Sequence, residues 1–233
     1  PMKVLYILGN GFDKAQGMAT SYPEFYEYLV NNVKDGSSLL EKMKSAITED
    51  TVLWSDMESG LGEFTAITDN AEEFDDFYFE LNSHLQNYLK IQNDKFTPNS
   101  KLKNKFIDDF VNCAKYLGAL DKGRYDTFMN RHSFSSKDIY VMTLNYTNTL
   151  EKILDYNTST GVFTKNLNLY NNLQGIIHIH GQLDSSIIIG VDNVEQIKHR
   201  EFQDNENIKD CMIKMQSNQV MKTTRHLRCE KLI

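Results

Sequence analysis

Two rhythms of apolar and polar residues divide the chain. Its first apolar run, Val4 to Leu8, is continuous and stops at Gly9-Asn10-Gly11. Such a run reads as a buried parallel strand ending in a loop that a ligand can approach. From there the spacing turns helical. Ser21-x-x-Glu24 is a capping-box pattern, which predicts a helix from Tyr22 to about Asn32. Asp35-Gly36-Ser37-Ser38 marks a turn, and Leu39 to about Ile47 reads as a second helix. Trp54, Met57, Leu61 and Phe64 fall on one helical face, and Phe74, Phe77, Tyr78, Leu81, Leu85 and Leu89 on another. Leu102, Phe106, Phe110, Cys113 and Leu117 continue the pattern after Pro98-Asn99-Ser100. Residues 21–135 therefore read as a mainly helical insertion.

The second half returns to short apolar runs. Ile139 to Leu144 leads into Asn145-Tyr146-Thr147-Asn148, where Thr147 or Asn148 is placed to cap a helix holding Leu150, Ile153 and Leu154. Ile176 to His180 reads as a strand stopping at Gly181, and Ile187 to Ile189 as another stopping at Gly190. The predicted fold is α/β: a Rossmann-like parallel sheet flanked by helices, with the large helical insertion after the first strand. Residues 1–233 are expected to form a single nucleotide-binding domain, with 194–233 as a polar tail. Within that tail Lys214, Lys222, Arg225, Arg228 and Lys231, with only Glu230 acidic, read as a charged surface helix.

Bulk properties narrow the partners. A net charge of −7 and a pI near 5.4 argue against a protein built around nucleic acid or an anionic membrane. No apolar run is long enough to span a bilayer, and no secretory signal is expected at the N-terminus. Pro1 ahead of Met2 reads as a processing remnant. Cys113, Cys211 and Cys229 are widely spaced and form no C-x-x-C pair, which fits a reducing cytoplasm and disfavours structural zinc.

Three strand ends carry the candidate chemistry: Gly9-Asn10-Gly11-Phe12-Asp13, Asn145-Tyr146-Thr147 and His178-Ile179-His180-Gly181. In a parallel sheet they meet along the carboxyl edge, where α/β folds bind ligands. Glycines in the first loop are expected to supply positive φ and to clear space for a phosphate. The dinucleotide fingerprint is not met, because its third glycine position holds Lys14 and the next glycine is Gly17. A ligand-free turn is the competing reading. His180 could take a proton from a water or a ribose hydroxyl, and Asn145 could orient either. Both also admit structural roles, as a strand-end histidine and a turn residue. His178 and His180, two apart on one predicted strand face, could bind metal, but no acidic or cysteine spacing completes a set, and no metal is expected. Glu58 lies on the Trp54–Leu61 face, where a carboxylate turned toward a core needs a partner. It could position a ligand, brace the first loop, or lie at the margin of the stripe.

Several separated segments together resemble the bacteriophage abortive-infection AbiH family. They are Ile7-Leu-Gly-Asn-Gly-Phe-Asp13 with Gly17 and Thr20-Ser21-Tyr22; Leu53-Trp54-Ser-Asp-Met-Glu58 with Leu61; Leu144-Asn145-Tyr146-Thr147; and Ile177-His-Ile-His180-Gly181 with Gly190-Val191-Asp192. That family in turn resembles sirtuin-like NAD-binding domains. Gly9, Gly11 and Gly17 keep the sirtuin glycine spacing, Thr143-Leu144-Asn145-Tyr146-Thr147 aligns with T-Q-N-x-D, and His180-Gly181 with the catalytic H-G. The resemblance implies that Gly9, Asn10, Gly11 and Asp13 contact NAD or a related nucleotide, and Phe12, Gly17, Glu58 and Gly181 are further candidate contacts. It also implies that Asn145 holds the ribose or the attacking water, and that His180 is the general base. Asp13 stands where sirtuins have Ser or Thr, Leu144 where they have Gln, and Thr147 where they have Asp. The zinc-ribbon cysteines of the deacylases are missing, and relative to the family pattern the chain reads as truncated.

The implied function is antiphage defence by cleavage of the nicotinamide–ribose bond of NAD. The implied partners are a small-molecule nucleotide, a phage-derived trigger and further copies of the chain. Two other readings stay open: a nucleotide-binding sensor without turnover, and a metal-dependent nuclease or phosphohydrolase using His178, His180 and Asp192.

Overall fold

A computed structural model describes residues 1–132, 135–156, 161–166 and 169–214. Strand β1 (Met2–Leu8) leads into a short helix α1 (Gly11–Ala15). Six helices follow: α2 (Tyr22–Asn32), α3 (Ser38–Glu49), α4 (Met57–Phe64), α5 (Ala71–Lys95), α6 (Ser100–Val111) and α7 (Ala119–Arg131). The chain then forms β2 (Lys137–Thr143), α8 (Thr149–Leu154), β3 (Gly161–Asn166), β4 (Leu169–His178), α9 (Arg200–Asp204) and α10 (Glu206–Met212). The fold is mixed α/β, with the expected helical insertion after the first strand.

Among the described residues the sheet order is β1-β2-β4-β3. β1, β2 and β4 run parallel, whereas β3 pairs antiparallel with β4, an element the apolar pattern did not indicate. β1 is an edge strand rather than a buried one, and Ile7 is 64% exposed. The register aligns Leu8 with Thr143 and Thr143 with His178. That alignment depends on a one-residue shift: Ile139 faces Leu173, but Tyr140 faces Gly175. The residue between them, Gln174, donates through Nε2 to Asp138 Oδ1 at 2.8 Å. Without the shift Thr143 would face Ile177, and His178 would project past the end of β2.

Helical periodicity held where apolar faces could find one another. The predicted capping box on α2 forms, with the Ser21 amide and hydroxyl both donating to Glu24. Phe25, Leu29, Leu40, Met43, Trp54, Leu61, Phe77 and Leu81 join one core with Ile187, Ile189, Val191 and Met212. A second cluster under the sheet holds Phe110, Ile139, Val141, Leu150, Leu154 and Leu173. Trp54 belongs to a 3₁₀ turn, Leu53–Ser55, and α4 begins afterwards. A further 3₁₀ turn, Cys113–Tyr116, separates α6 from α7, so the 102–117 pattern is not one helix.

Ile187–Ile189 is not a strand. Ile187 forms only an isolated bridge with Gly181. All three isoleucines are buried, and each carbonyl accepts from a side chain: Asn82 on Ile187 at 3.3 Å, Tyr146 on Ile188 at 2.9 Å and Tyr78 on Ile189 at 2.8 Å. Those donors satisfy the buried backbone that a ladder otherwise would, so an apolar run is accommodated without sheet pairing. The strand predicted at Ile176–His180 begins earlier, at Leu169, and ends at His178, leaving His180 in the following turn.

Lys214 corrects the surface-helix reading of the tail. Its side chain is 9% exposed and pairs with Glu58, and the remainder of that segment, with Cys229, lies outside the described residues. Lys214 is seated by backbone bonds around Gly190, which has φ +138°. The Val191 amide donates to the Met212 carbonyl at 2.8 Å, and the Lys214 amide to the Val191 carbonyl at 3.0 Å. A Cβ at Gly190 would stand 2.0 Å from the Met212 carbonyl oxygen. Substituting Gly190→Ala is expected to cost about 3 kcal/mol of stability through strain and overlap, measured by urea denaturation.

Candidate active site at the carboxyl edge of the sheet

The level strand ends bring three loops to one place. A cavity of about 200 Å³ lies between them and the helical layer. Asn10 and Asp13 line it from the first loop, Asn145 and Thr147 from the second, and His180 from the third. Tyr22, Glu58, Leu85 and Leu89 close it from α2, α4 and α5. Of the residues singled out by sequence, Asn10, Asp13, Glu58, Asn145 and His180 therefore meet at one cavity. Phe12 does not line it, and packs at a tilt against Phe106 with ring centroids 5.3 Å apart.

The first loop is shaped by its neighbours. The Gly9 carbonyl accepts from the Phe12 amide at 2.9 Å and from Asn145 Nδ2 at 3.1 Å. Thr20 donates to Asn10 Oδ1 at 2.7 Å, fixing the amide at the cavity wall. Positive φ was expected at Gly9 and Gly11 but is found instead at Gly17 (+78°) and Gly181 (+93°). A Cβ at Gly9 or Gly11 would meet nothing within 4 Å. Open space, and not backbone conformation, is what those two glycines provide.

Asp13 is 1% exposed, and its Oδ2 accepts from the Thr147 hydroxyl at 2.6 Å. Its Oδ1 is buried with no hydrogen-bond donor among the described residues. Burial pushes its carboxyl above the usual range, while the hydroxyls of Thr147 and Thr149, the Asn145 amide and the charge of His178 oppose the rise. Thr147 consequently does not cap α8. Asn148 occupies the cap position without a side-chain bond, and its amide donates to Asn93 Oδ1 at 3.2 Å.

Asn145 is held from two sides. Besides the Gly9 contact, its backbone carbonyl accepts from His178 Nδ1 at 2.8 Å, while His178 Nε2 lies 2.7 Å from Glu151 Oε1. A carbonyl can only accept, so Nδ1 carries a proton. His178 is thus engaged at both nitrogens beneath the site and does not share a ligand face with His180. Asp192, the third member of the metal-site reading, lies 3.6 Å from Lys214. Among the described residues, no three His, Cys, Asp or Glu side chains are grouped to hold a metal ion.

Tyr22 and Tyr146 belong to the site and were not marked by sequence as ligand residues. Burial first, and then the charge of Glu58, pushes the Tyr22 phenol up to about 12. Burial raises Tyr146 well above its ordinary value. Tyr22 was visible as the opening residue of a capped helix and as part of the Thr20-Ser21-Tyr22 segment shared with the family, with no ligand role attached. The Leu183 amide donates to the Tyr146 carbonyl at 3.0 Å and the Ile188 amide to the His180 carbonyl at 2.8 Å, which ties the third loop to the second.

Residues 5–230 match the family described as Bacteriophage abortive infection AbiH. The chain belongs to this family. AbiH membership assigns it to phage abortive-infection defence. No curated protein and no solved structure matches it. Among the described residues, no helix of this AbiH chain is long and apolar enough to cross a membrane.

Two outcomes follow from the buried polar groups. The folded state holds the Asp13 proton more tightly than the unfolded chain, so stability falls as pH rises from the unfolded value, about 3.9, through the raised native one. Asp13→Asn is expected to flatten that fall in denaturation curves taken across the same range. Removing the His178 imidazole leaves Glu151 and the Asn145 carbonyl without their donor. His178→Ala should lower stability by about 3 kcal/mol, read from urea midpoints at neutral pH.

Proposed function

We propose that this AbiH protein binds a nicotinamide nucleotide at the cavity and hydrolyses its nicotinamide–ribose bond, on a Rossmann-like frame of sirtuin type. The observation that carries the reading is the meeting of Asn145 and His180 with the Gly9–Asp13 loop at one cavity on the carboxyl edge of a parallel sheet. Two of the departures from the sirtuin pattern, Asp13 and Thr147, add support. Asp13 and Thr147 are bonded to each other, so an acid and a hydroxyl have exchanged places across one contact.

Cleavage of such a bond passes through a transition state with positive charge on the ribose. Asn145 Nδ2 is engaged by Gly9, which leaves Oδ1 to accept from a water or a ribose hydroxyl. His180, on the adjacent loop, takes the proton of the attacking water. Leu85, Leu89 and Leu144 supply an apolar wall that limits access of bulk water.

A second reading, a nucleotide sensor without turnover, is favoured by one observation. Glu58 is ion-paired with Lys214 and burial raises the Asp13 carboxyl, which leaves less free negative charge for the transition state. Nicotinamide release from NAD, followed by chromatography with protein purified before and after phage infection, separates the two. Release that drops about 100-fold or more in His180→Ala, and falls likewise in Asn145→Ala, is the expected result. A raised melting temperature with NAD and no release from either preparation assigns the sensor instead.

A further inference from the structure

Glu58 reaches the cavity from α4 with only part of its carboxylate engaged. Oε1 takes the Lys214 ammonium, whereas Oε2 has no hydrogen-bond donor among the described residues. The Glu58 side chain is 28% exposed and that of Lys214 9%, so the cation lies on the buried side of the pair. Its position is fixed by the backbone bonds around Gly190 and by Asp192 at 3.6 Å. Lys214 therefore restricts the carboxylate to one orientation, with the second oxygen left for a ligand.

The chemistry of that ligand follows from what the wall lacks. Asp13 is a second acid in the lining of the same cavity, buried and bonded to Thr147. The accessible Glu58 oxygen, with a second acid behind it, opposes a phosphate, whose oxygens carry no proton to share and repel a carboxylate. That oxygen favours a group rich in O–H donors. Tyr22 beside Glu58 offers a phenol that stays neutral, able to donate or accept. A volume of about 200 Å³ is too small for a whole dinucleotide and suits one sugar with part of its base.

We propose that Glu58, oriented by Lys214, reads the vicinal hydroxyls of the ribose and selects ribose over deoxyribose nucleotides. This specificity role rests on the nicotinamide-nucleotide reading above. Glu58 is the contact residue, and Lys214 acts through it as a positioning residue.

Calorimetric Kd values for ADP-ribose, and for the analogue lacking the 2″-hydroxyl of its terminal ribose, test the proposal without requiring turnover. The unaltered protein should prefer ADP-ribose by about tenfold or more. In Glu58→Gln, which keeps the shape but removes the charge, that ratio should fall severalfold. In Lys214→Met it should fall as well. Where a single variant unfolds, Glu58→Leu combined with Lys214→Met replaces the pair by apolar groups of similar length, and the ratio should approach one. A preference unchanged in Glu58→Gln or in the paired variant overturns the ribose-reading role alone, as does an unaltered protein that binds both compounds equally. Binding of neither compound overturns the role and the nicotinamide-nucleotide reading together.

Discussion

The candidate site depends on one alignment, the row formed by Leu8, Thr143 and His178 across three parallel strands. A parallel sheet delivers its loops to one edge, but it does not by itself make them emerge at the same height. Here the irregularity at Gln174 advances β4 by one residue relative to β2, and side-chain direction in a strand reverses with every residue. His178 is thereby brought level with Thr143, where its ring reaches the Asn145 carbonyl from below. His180 follows two residues later, beyond the strand, and turns to the cavity.

Polar groups around the cavity are secured in pairs drawn from different elements. Asp13 follows β1 and is met by Thr147, which follows β2. His178 ends β4 and is met by Glu151 on α8. Glu58 comes from α4 and is met by Lys214 from the far end of the described chain. Each pair relieves a buried or half-buried charge that would otherwise be costly. Each also ties two segments whose relative position sets the cavity's shape. Electrostatic satisfaction and site geometry are consequently one requirement here.

Much of this was legible in the residues. The helices carried their own periodicity, and α2 also its capping box, since an amphipathic stripe needs only a partner face. The strand ends at Gly9, Asn145 and Gly181 were marked by turn residues, and five chemical candidates from four separate segments lie on one cavity. What stayed hidden was set by distant contacts. Ile187–Ile189 looks like a strand because it is short, apolar and β-branched, yet its carbonyls are satisfied by Tyr78, Asn82 and Tyr146, none of which is adjacent in sequence. Lys214 looked like surface because a cluster of like charges usually is, and only the position of Glu58 makes it interior. Asp13 and Thr147 read as two separate anomalies until their contact was seen.

The pairing of Glu58 with Lys214 spans 156 residues. A contact of that separation cannot form while the intervening chain is still being synthesised, whereas the α2–α5 helices can assemble earlier from local contacts. During synthesis the half-built cavity therefore presents an uncompensated carboxylate, with the cation that orients it still to come. Completion of this pair is a late event in the life of the chain, and Glu58 stays without its Lys214 partner in any fragment that stops short of residue 214.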